Sequence, residues 1–360
     1  MAKTYTFESL EKKYNNFFAP AFEVDVGGTK LTRSFLPISR ITVQTTTESM
    51  SDTCTFTVTN DFDLVSRDFV RSQLLQPGKP VQVKMGYTDK LETVFTGYIT
   101  SIKYQFPQSG NPSLAVTCMD LSFFMKRKKE IITWQNRTFS DIAYEIARKY
   151  NAKTDIDATE ITYPRIPQNK MTDYELLDFL ARRSNREFFV SGGTLYFRKP
   201  MENPTPILTL TWGKNLTSFQ LEVNIAKQVN EVVVTGMDYK QQEVITASVS
   251  SRAVVSPGSK RMLGSDFIQV FGVLKELMET NVVSMNEAKL IAESMMLRRS
   301  MHLLIGSGEC IGIPELQVGR YIQIQGVGEK LSQNYYLISV IHTISEAGYT
   351  TSFRVGGNAI

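Results

Sequence analysis

The chain predicts a mainly β fold in which two strand-rich regions flank a small α+β module. Three observations carry this. Residues 21–125 and the residues from 205 onward alternate apolar and polar side chains with a period of two, the mark of strands with one buried face. Between them, residues 130–200 show the 3.6-residue period of amphipathic helices. The two strand-rich regions also share a string, since "LQPGKPVQV" (75–83) and "LQVGRYIQI" (316–324) have Leu, Gln, Gly and a later Gln in common.

In the first region, "SDTCTFTVTN" (51–60) alternates polar residues with Cys54, Phe56 and Val58. "PVQVKMGY" (80–87) and "TVFTGYITSIKYQF" (93–106) alternate likewise, and "QPGKP" and "PQSGNP" supply turn chemistry between strands. "VDVGGTK" (24–30) has a phosphate-loop look but no helix behind it, so it reads as a hairpin turn with Lys30 on the next strand. "DFDLVSRDFVRSQLL" (61–75) predicts one helix laid against the strands, with Phe62, Val65, Phe69 and Val70 at helical spacing.

The basic run "KRKK" (126–129) reads as a solvated connector into the middle module. There "TFSDIAYEIARKY" opens with a capping pair, Thr138 and Asp141, and Phe139, Ile142, Ala143, Ile146, Ala147 and Tyr150 mark one helical face. Thr172 and Glu175 cap a second helix with Leu176, Leu177, Leu180 and Ala181 as its stripe. "EFFVSGGTLYFRK" (187–199) is two short strands joined at Ser191-Gly192-Gly193, and "KPMENPTP" (199–206) is a proline-rich linker.

Strands return with "PILTLTW", "VNEVVVTGMD", "EVITASVSS" and "FIQVFGVL", followed by a helix capped by Ser284 and Glu287 with Ala288, Ile291, Ala292 and Met295 inward. Aligned in order, the two strand-rich regions predict a duplicated domain. "TFTVTND" stands against "EVVVTGMD", helix Phe62–Leu75 against Met285–Met301, and "GYITSIKY" (97–104) against "YYLISVIH" (335–342). Gly78 and Gly319 precede a strand, and Gly86 and Gly326 open the hairpin after it. The expected domains are an N-terminal arm (1–20), a first strand-rich domain (21–129), the α+β module (130–204) and a second strand-rich domain (205–360).

The totals exclude several function classes. With 40 basic and 36 acidic side chains the net charge is +4, too balanced to announce nucleic acid. The polar N-terminus does not read as a signal peptide, and no apolar run is long enough to span a bilayer. Cys54, Cys118 and Cys310 form no paired spacing and read as buried residues of a reducing compartment. Of the two histidines, His302 ends a helix, where partial cationic character suits the dipole, and His342 lies mid-strand with a hydrogen-bonded ring. No metal spacing, nucleophile elbow or Walker loop occurs, and the carboxylates of "TDIDATE" (154–160) select no pair. Trp134 and Trp212 sit beside strands at domain joins, where packing is expected. We therefore expect no enzyme, and assign no catalytic, cofactor-binding or metal residue.

The closing string "GIPELQVGRYIQIQGVG…NYYLISVIHTISEAGYTTSFRV" resembles the tail hub proteins of contractile phages and related injection systems. These include the phage late-control protein D group and the hub portion of type VI spike proteins. "GIPELQVG" is similar to the family's G-x-P-x-L-x-x-G segment, and "TDYELLDFLARRSNREFFVSGGTLYF" to its helix followed by paired strands. The resemblance implies two tube-like β-barrels per chain, each with a flanking helix, and a homotrimeric ring of six similar domains. Such a ring is a symmetry adaptor between a sixfold tail tube and a threefold spike.

The implied partners are further copies of the chain, the tail tube or tube-initiator protein, the central spike, other baseplate proteins and the tape measure protein. Because the sequence stops at "VGGNAI" without a spike domain, the spike is expected on a separate chain. Assembly is expected in the bacterial host cytoplasm, into a virion tail baseplate or a headless phage-tail-like particle. Two other classes compete, a carbohydrate-binding tail-tip adhesin and a tail-associated wall hydrolase.

Overall fold

The computed structural model describes residues 3–31, 37–238, 242–254 and 261–360. The first strand-rich unit contributes β1 (Pro20–Val26), β2 (Thr29–Leu31), β3 (Ile38–Thr46), β4 (Thr53–Thr59), β5 (Phe62–Asp63), β6 (Asp68–Phe69), β7 (Pro80–Tyr87), β8 (Lys90–Gln105) and β9 (Ser113–Met119). The middle module holds β10 (Thr133–Arg137), β11 (Lys153–Ile156), β12 (Tyr163–Pro167), β13 (Glu187–Ser191) and β14 (Thr194–Arg198) with helices Phe139–Lys149 and Asp173–Arg183. Then come β15 (Pro206–Thr211), β16 (Leu216–Val223), β17 (Glu231–Asp238), β18 (Glu243–Ser250), β19 (Lys275–Glu279), helix Met285–Ser300, β20 (Leu304–Ile311), β21 (Tyr321–Gln325), β22 (Asn334–Ser345) and β23 (Gly348–Gly357).

The fold is mainly β around one large sheet. Its strands run β16-β20-β23-β22-β3-β4-β9-β8-β7-β1-β2, with β21 paired to β22 and β15 to β21. One apolar core serves both strand-rich regions, from Val43, Phe56 and Val83 to Leu304, Leu337 and Phe353. The middle module has its own core around Ile142, Leu177 and Phe197. A third cluster, around Val232, Val249 and Ile291, packs helix Met285–Ser300 on the separate sheet β18-β17-β19.

Local chemistry explains the elements that sequence identifies. The Thr138 and Thr172 hydroxyls accept from the N–H groups of Asp141 and Glu175, whose carboxylates reach back to the cap N–H groups. The Ser284 hydroxyl accepts from the Glu287 N–H. Gly27 and Gly28 turn the β1–β2 hairpin at positive φ, and Gly192 and Gly193 do the same between β13 and β14.

The run "FIQVFGVL" (267–274) forms no strand, because Gly264–Phe267 and Gln269–Phe271 are short helical turns and Gly272 at positive φ breaks the run before β19. Three further expectations need correction. Residues 61–75 form the short β5–β6 pair and turns, with no helix. Asp63 accepts from the Val65 and Ser66 N–H groups, and Asp61 from Arg71, so aspartates capture donors that a helix would need. The aromatic pair Phe62 and Phe69 then meets across that hairpin, ring centroids 5.1 Å apart. Second, "EVVVTGMD" is β17, outside the large sheet; its match to β4 was a shared Thr/Val texture, and the strand in the position of β4 is β20. Third, Gly86 lies inside β7, where a Cβ would stand 2.0 Å from the Lys90 carbonyl oxygen, so close approach rather than a turn requires it.

Correctly matched, two strand paths coincide. β3-β4-β9-β8-β7 and β16-β20-β23-β22-β21 have the same order and are antiparallel at each step. β1 and β15 extend the two paths, antiparallel to β7 in one and parallel to β21 in the other. Their irregularities coincide too. β8 slips on β9 between Ile99 and Ser101, as β22 slips on β23 between Leu337 and Ser339. β3 slips on β4 between Ile38 and Arg40, as β16 slips on β20 between Leu216 and Ser218. Bulges bend a sheet where they fall, so both paths bend at matching points. The paths join where β22 pairs with β3, from Ser339 opposite Thr46 to Ile344 opposite Ile41.

Candidate functional site

The feature that sets this molecule apart is the face of the large sheet turned away from its core. Alternation in β4 puts Cys54, Phe56 and Val58 inward and Thr53, Thr55, Thr57 and Thr59 outward. Across strands, the register aligns Ser101, Thr117, Thr55, Thr42, Thr343 and Thr350 in one row that crosses from the first path into the second. At the join, the Thr42 and Thr343 hydroxyl oxygens lie 3.4 Å apart. The next row holds Met119, Thr53, Gln44, Ile341, Ser352, Glu309 and Ser218. Arg354 on β23 pairs with Glu48 at 3.2 Å, and Ser352 donates to Glu309. Short hydroxyl side chains fill the first row, the second mixes them with longer and charged ones, and Thr at these sites also suits a pleated backbone. "TCTFTVT" shows one column of it in sequence; the rows exist only through register.

His342 is buried; its Nε2–H donates to the Leu316 carbonyl at 3.2 Å, and Nδ1 lies 3.0 Å from both the Thr351 and Tyr349 hydroxyl oxygens. Burial lowers its pKa to about 4 despite the carbonyl contact, so it stays neutral. His302 departs from expectation, because partial burial and the nearby Lys227 and Arg299 lower its pKa and oppose a cationic ring. In the basic run, Lys126 is half-buried rather than solvated. Its ammonium donates to the Ser49 carbonyl at 3.2 Å and lies 4.1 Å from the Tyr174 ring centroid, tying the first unit to the middle module. Trp134 donates to Gln168, whereas Trp212 is 58% exposed, against the expectation of packing.

Carboxylates gather at two places among the described residues. Asp52 and Asp120 are buried together near Lys126. Burial, and for Asp52 the Asp120 charge, pushes both carboxyls above the ordinary range. A cavity of 340 Å³ at the join of the middle module and β21 is lined by Asp155, Glu187, Arg198 and Tyr336. There Arg198 pairs with Glu187 at 2.7 Å and Asp155 at 3.0 Å and donates to the Gly319 carbonyl, which makes it a structural clamp. Among the described residues no cluster of three or more His, Cys, Asp or Glu could hold a metal ion, and no helix is long and apolar enough to cross a membrane.

With the fold in view, kinship follows from a match over most of the chain: the Alg8 N-terminal domain aligns with residues 19–346. The chain belongs to the Alg8 N-terminal domain family. No protein with a curated description matches it in sequence. This Alg8-family chain shares its fold with the 43 kDa tail protein of prophage MuSo2 from Shewanella oneidensis. The two are 15% identical with a TM-score of 0.69, over 94% of this chain and 98% of that one. A tail protein from Neisseria meningitidis is also 15% identical, with a TM-score of 0.71 over 95% and 97%. A component of the type VI secretion system of E. coli is 11% identical, with a TM-score of 0.56 over 92% and 76%. The Alg8-family fold is thus that of phage tail and injection-system proteins, the group its closing motif resembles.

Proposed function

We propose that the chain is the hub of a tail baseplate, in a contractile phage or a related injection particle. Three copies form a ring in which residues 21–129 and 205–360 act as six near-equivalent tube-like barrels. One side of the ring receives the sixfold tail tube or its initiator, and the other the threefold central spike. The module at 130–204 and the arm at 1–20 dress the outside, and other baseplate proteins and the tape measure protein are its further neighbours. The face rich in hydroxyl side chains lines the channel, where it offers passing cargo a largely polar wall. The role is structural, without catalysis.

The observation that carries this reading is the pair of matched strand paths with bulges at matched places. Two copies of one unit set side by side are what a threefold ring needs to present sixfold surfaces. The type VI component similar to this chain is itself described as similar to bacteriophage T4 tail proteins, which supports a place in the tail. The test is the mass of the purified full chain by light scattering: three copies of the 40.7 kDa chain, about 122 kDa, support the ring. A monomer at all concentrations would overturn it.

A further inference from the structure

The join inside the chain contains a template for the join between chains. β22 has two partners on one side: its first residues pair with β21, and Ser339–Ile344 pair with β3. The matching strand of the first path, β8, pairs with β7 only as far as Tyr98. Beyond that point, among the described residues, Ser101–Gln105 pair with β9 alone and leave one edge open. The strand matching β3 is β16, and among the described residues its Ser218–Val223 segment pairs with β20 alone, while Leu216 also bridges to Trp212. Among the described residues, these two edges therefore lie at equivalent places to the two edges that join the chain's own halves.

We propose that the open edge of β8 pairs, antiparallel, with the open edge of β16 in a second copy of this chain, in the register of β22 on β3. The matched bulges fix that register without adjustment. Ser339, Val340, Ile341, His342, Thr343 and Ile344 correspond to Ser101, Ile102, Lys103, Tyr104, Gln105 and Phe106. Arg40, Ile41, Thr42, Val43, Gln44 and Thr45 correspond to Ser218, Phe219, Gln220, Leu221, Glu222 and Val223. Lys103 of one copy then stands opposite Glu222 of the next, Tyr104 opposite Leu221, Ile102 opposite Val223, Gln105 opposite Gln220 and Phe106 opposite Phe219.

This register was set by backbone pairing alone, yet the side chains agree with it. On the core-side face it matches apolar with apolar, as Ile344 matches Ile41 inside the chain. On the other face it matches polar with polar, with opposite charges at Lys103 and Glu222, and continues the hydroxyl wall. A one-residue slip would put each apolar side chain opposite a polar one. The edges also carry the surface a partner would cover: Tyr104 is 51%, Phe106 63% and Val223 46% exposed. An open edge of this kind is an aggregation hazard unless something pairs with it.

The inference rests on the ring reading, and one experiment separates the two. The full chain carrying Lys103→Cys and Glu222→Cys is oxidised and run without reductant. These positions lie seven strand steps apart within one chain, about 34 Å along the sheet at about 4.8 Å per step, too far for an internal disulfide. We expect covalent dimers and trimers that reductant reverses, with the series ending at three copies. The off-register pair Lys103→Cys with Gln220→Cys should give about tenfold less product. Lys103→Glu should weaken association, and adding Glu222→Lys should restore it.

A three-copy native mass without the cross-link overturns the register and leaves the ring reading standing. A monomeric, unlinked chain overturns both. A covalent series that runs past three copies supports the edge pairing and overturns the closed ring.

Discussion

Arg183 grips one carboxylate oxygen of Glu287 with two donors, Nε at 2.8 Å and Nη2 at 2.5 Å. Arg183 ends helix Asp173–Arg183 of the middle module, and Glu287 begins helix Met285–Ser300, so the pair ties two separate cores together. The Glu287 side chain has no exposure, and its other oxygen accepts from the Val283 N–H. Arg183→Ala would strand a buried carboxylate. We expect a loss of about 3–5 kcal/mol in urea unfolding, with Arg183→Lys recovering only part because one ammonium cannot reproduce the fork. A loss below about 1 kcal/mol would show that the modules are held by other contacts.

His342 makes the fold acid-sensitive. Its folded pKa, about 4, lies below the ordinary 6.5, so between these values the unfolded chain binds the proton that the folded chain refuses. Stability from this group is therefore complete above pH 6.5 and falls as pH drops toward 4, by on the order of 3 kcal/mol. Unfolding midpoints between pH 7 and pH 4.5 should fall less steeply in His342→Gln than in the parent chain. Equal slopes would sink the assignment.

Asp52 and Asp120 act in the opposite direction. Their folded pKa values are raised above the ordinary 3.8, so the folded chain holds a proton that the unfolded chain has lost. Their contribution is present at low pH and is lost as pH rises through the raised values. Asp52→Asn keeps the carbonyl oxygen that accepts from the Thr46 N–H at 2.9 Å and removes one charge. It should stabilise the chain relative to its parent at pH 8, above the value of about 7 to which Asp120 is raised, and flatten the fall of stability with rising pH. A destabilised variant at pH 8 would count against this.

Gly78 and Gly319 make the same backbone bonds in the two strand paths. Each donates to the long strand beside it, at Ile99 and Leu337, with 2.8 and 3.0 Å between the atoms. Both have positive φ, but a Cβ at Gly78 meets nothing, whereas one at Gly319 would stand 2.7 Å from Phe189. Gly78→Ala should cost about 1–2 kcal/mol from the backbone alone. Gly319→Ala should cost at least about 1 kcal/mol more, through overpacking against the middle module. Thermal unfolding of the two variants decides it; equal losses would show that Phe189 moves aside freely.

How much was legible depended on where the deciding contact lay. The capping pairs at Thr138 and Thr172 were readable because both partners sit three residues apart. The segment 61–75 was not, since its spacing suits a helix while Asp61 and Asp63 divert the backbone and Phe62 packs on Phe69 and Phe106. The string shared by 75–83 and 316–324 located matching strands correctly, and "GYITSIKY" against "YYLISVIH" was aligned in the register that the bulges confirm. The match of β4 to β17 failed because a Thr/Val strand looks alike wherever it pairs.

By itself, the sequence determined which residues alternate, where the helices capped at Thr138, Thr172 and Ser284 start, and that two stretches use similar strands and turns. Those properties are local, set by side chains within a few residues of one another. Only tertiary structure decided that β22 leaves β21 to pair with β3, that hydroxyls from separate strands fall into rows, and that β8 and β16 keep open edges. Strand pairing is made by backbone groups, which every residue except proline carries alike, so the choice of neighbour is written in the packing of the whole chain.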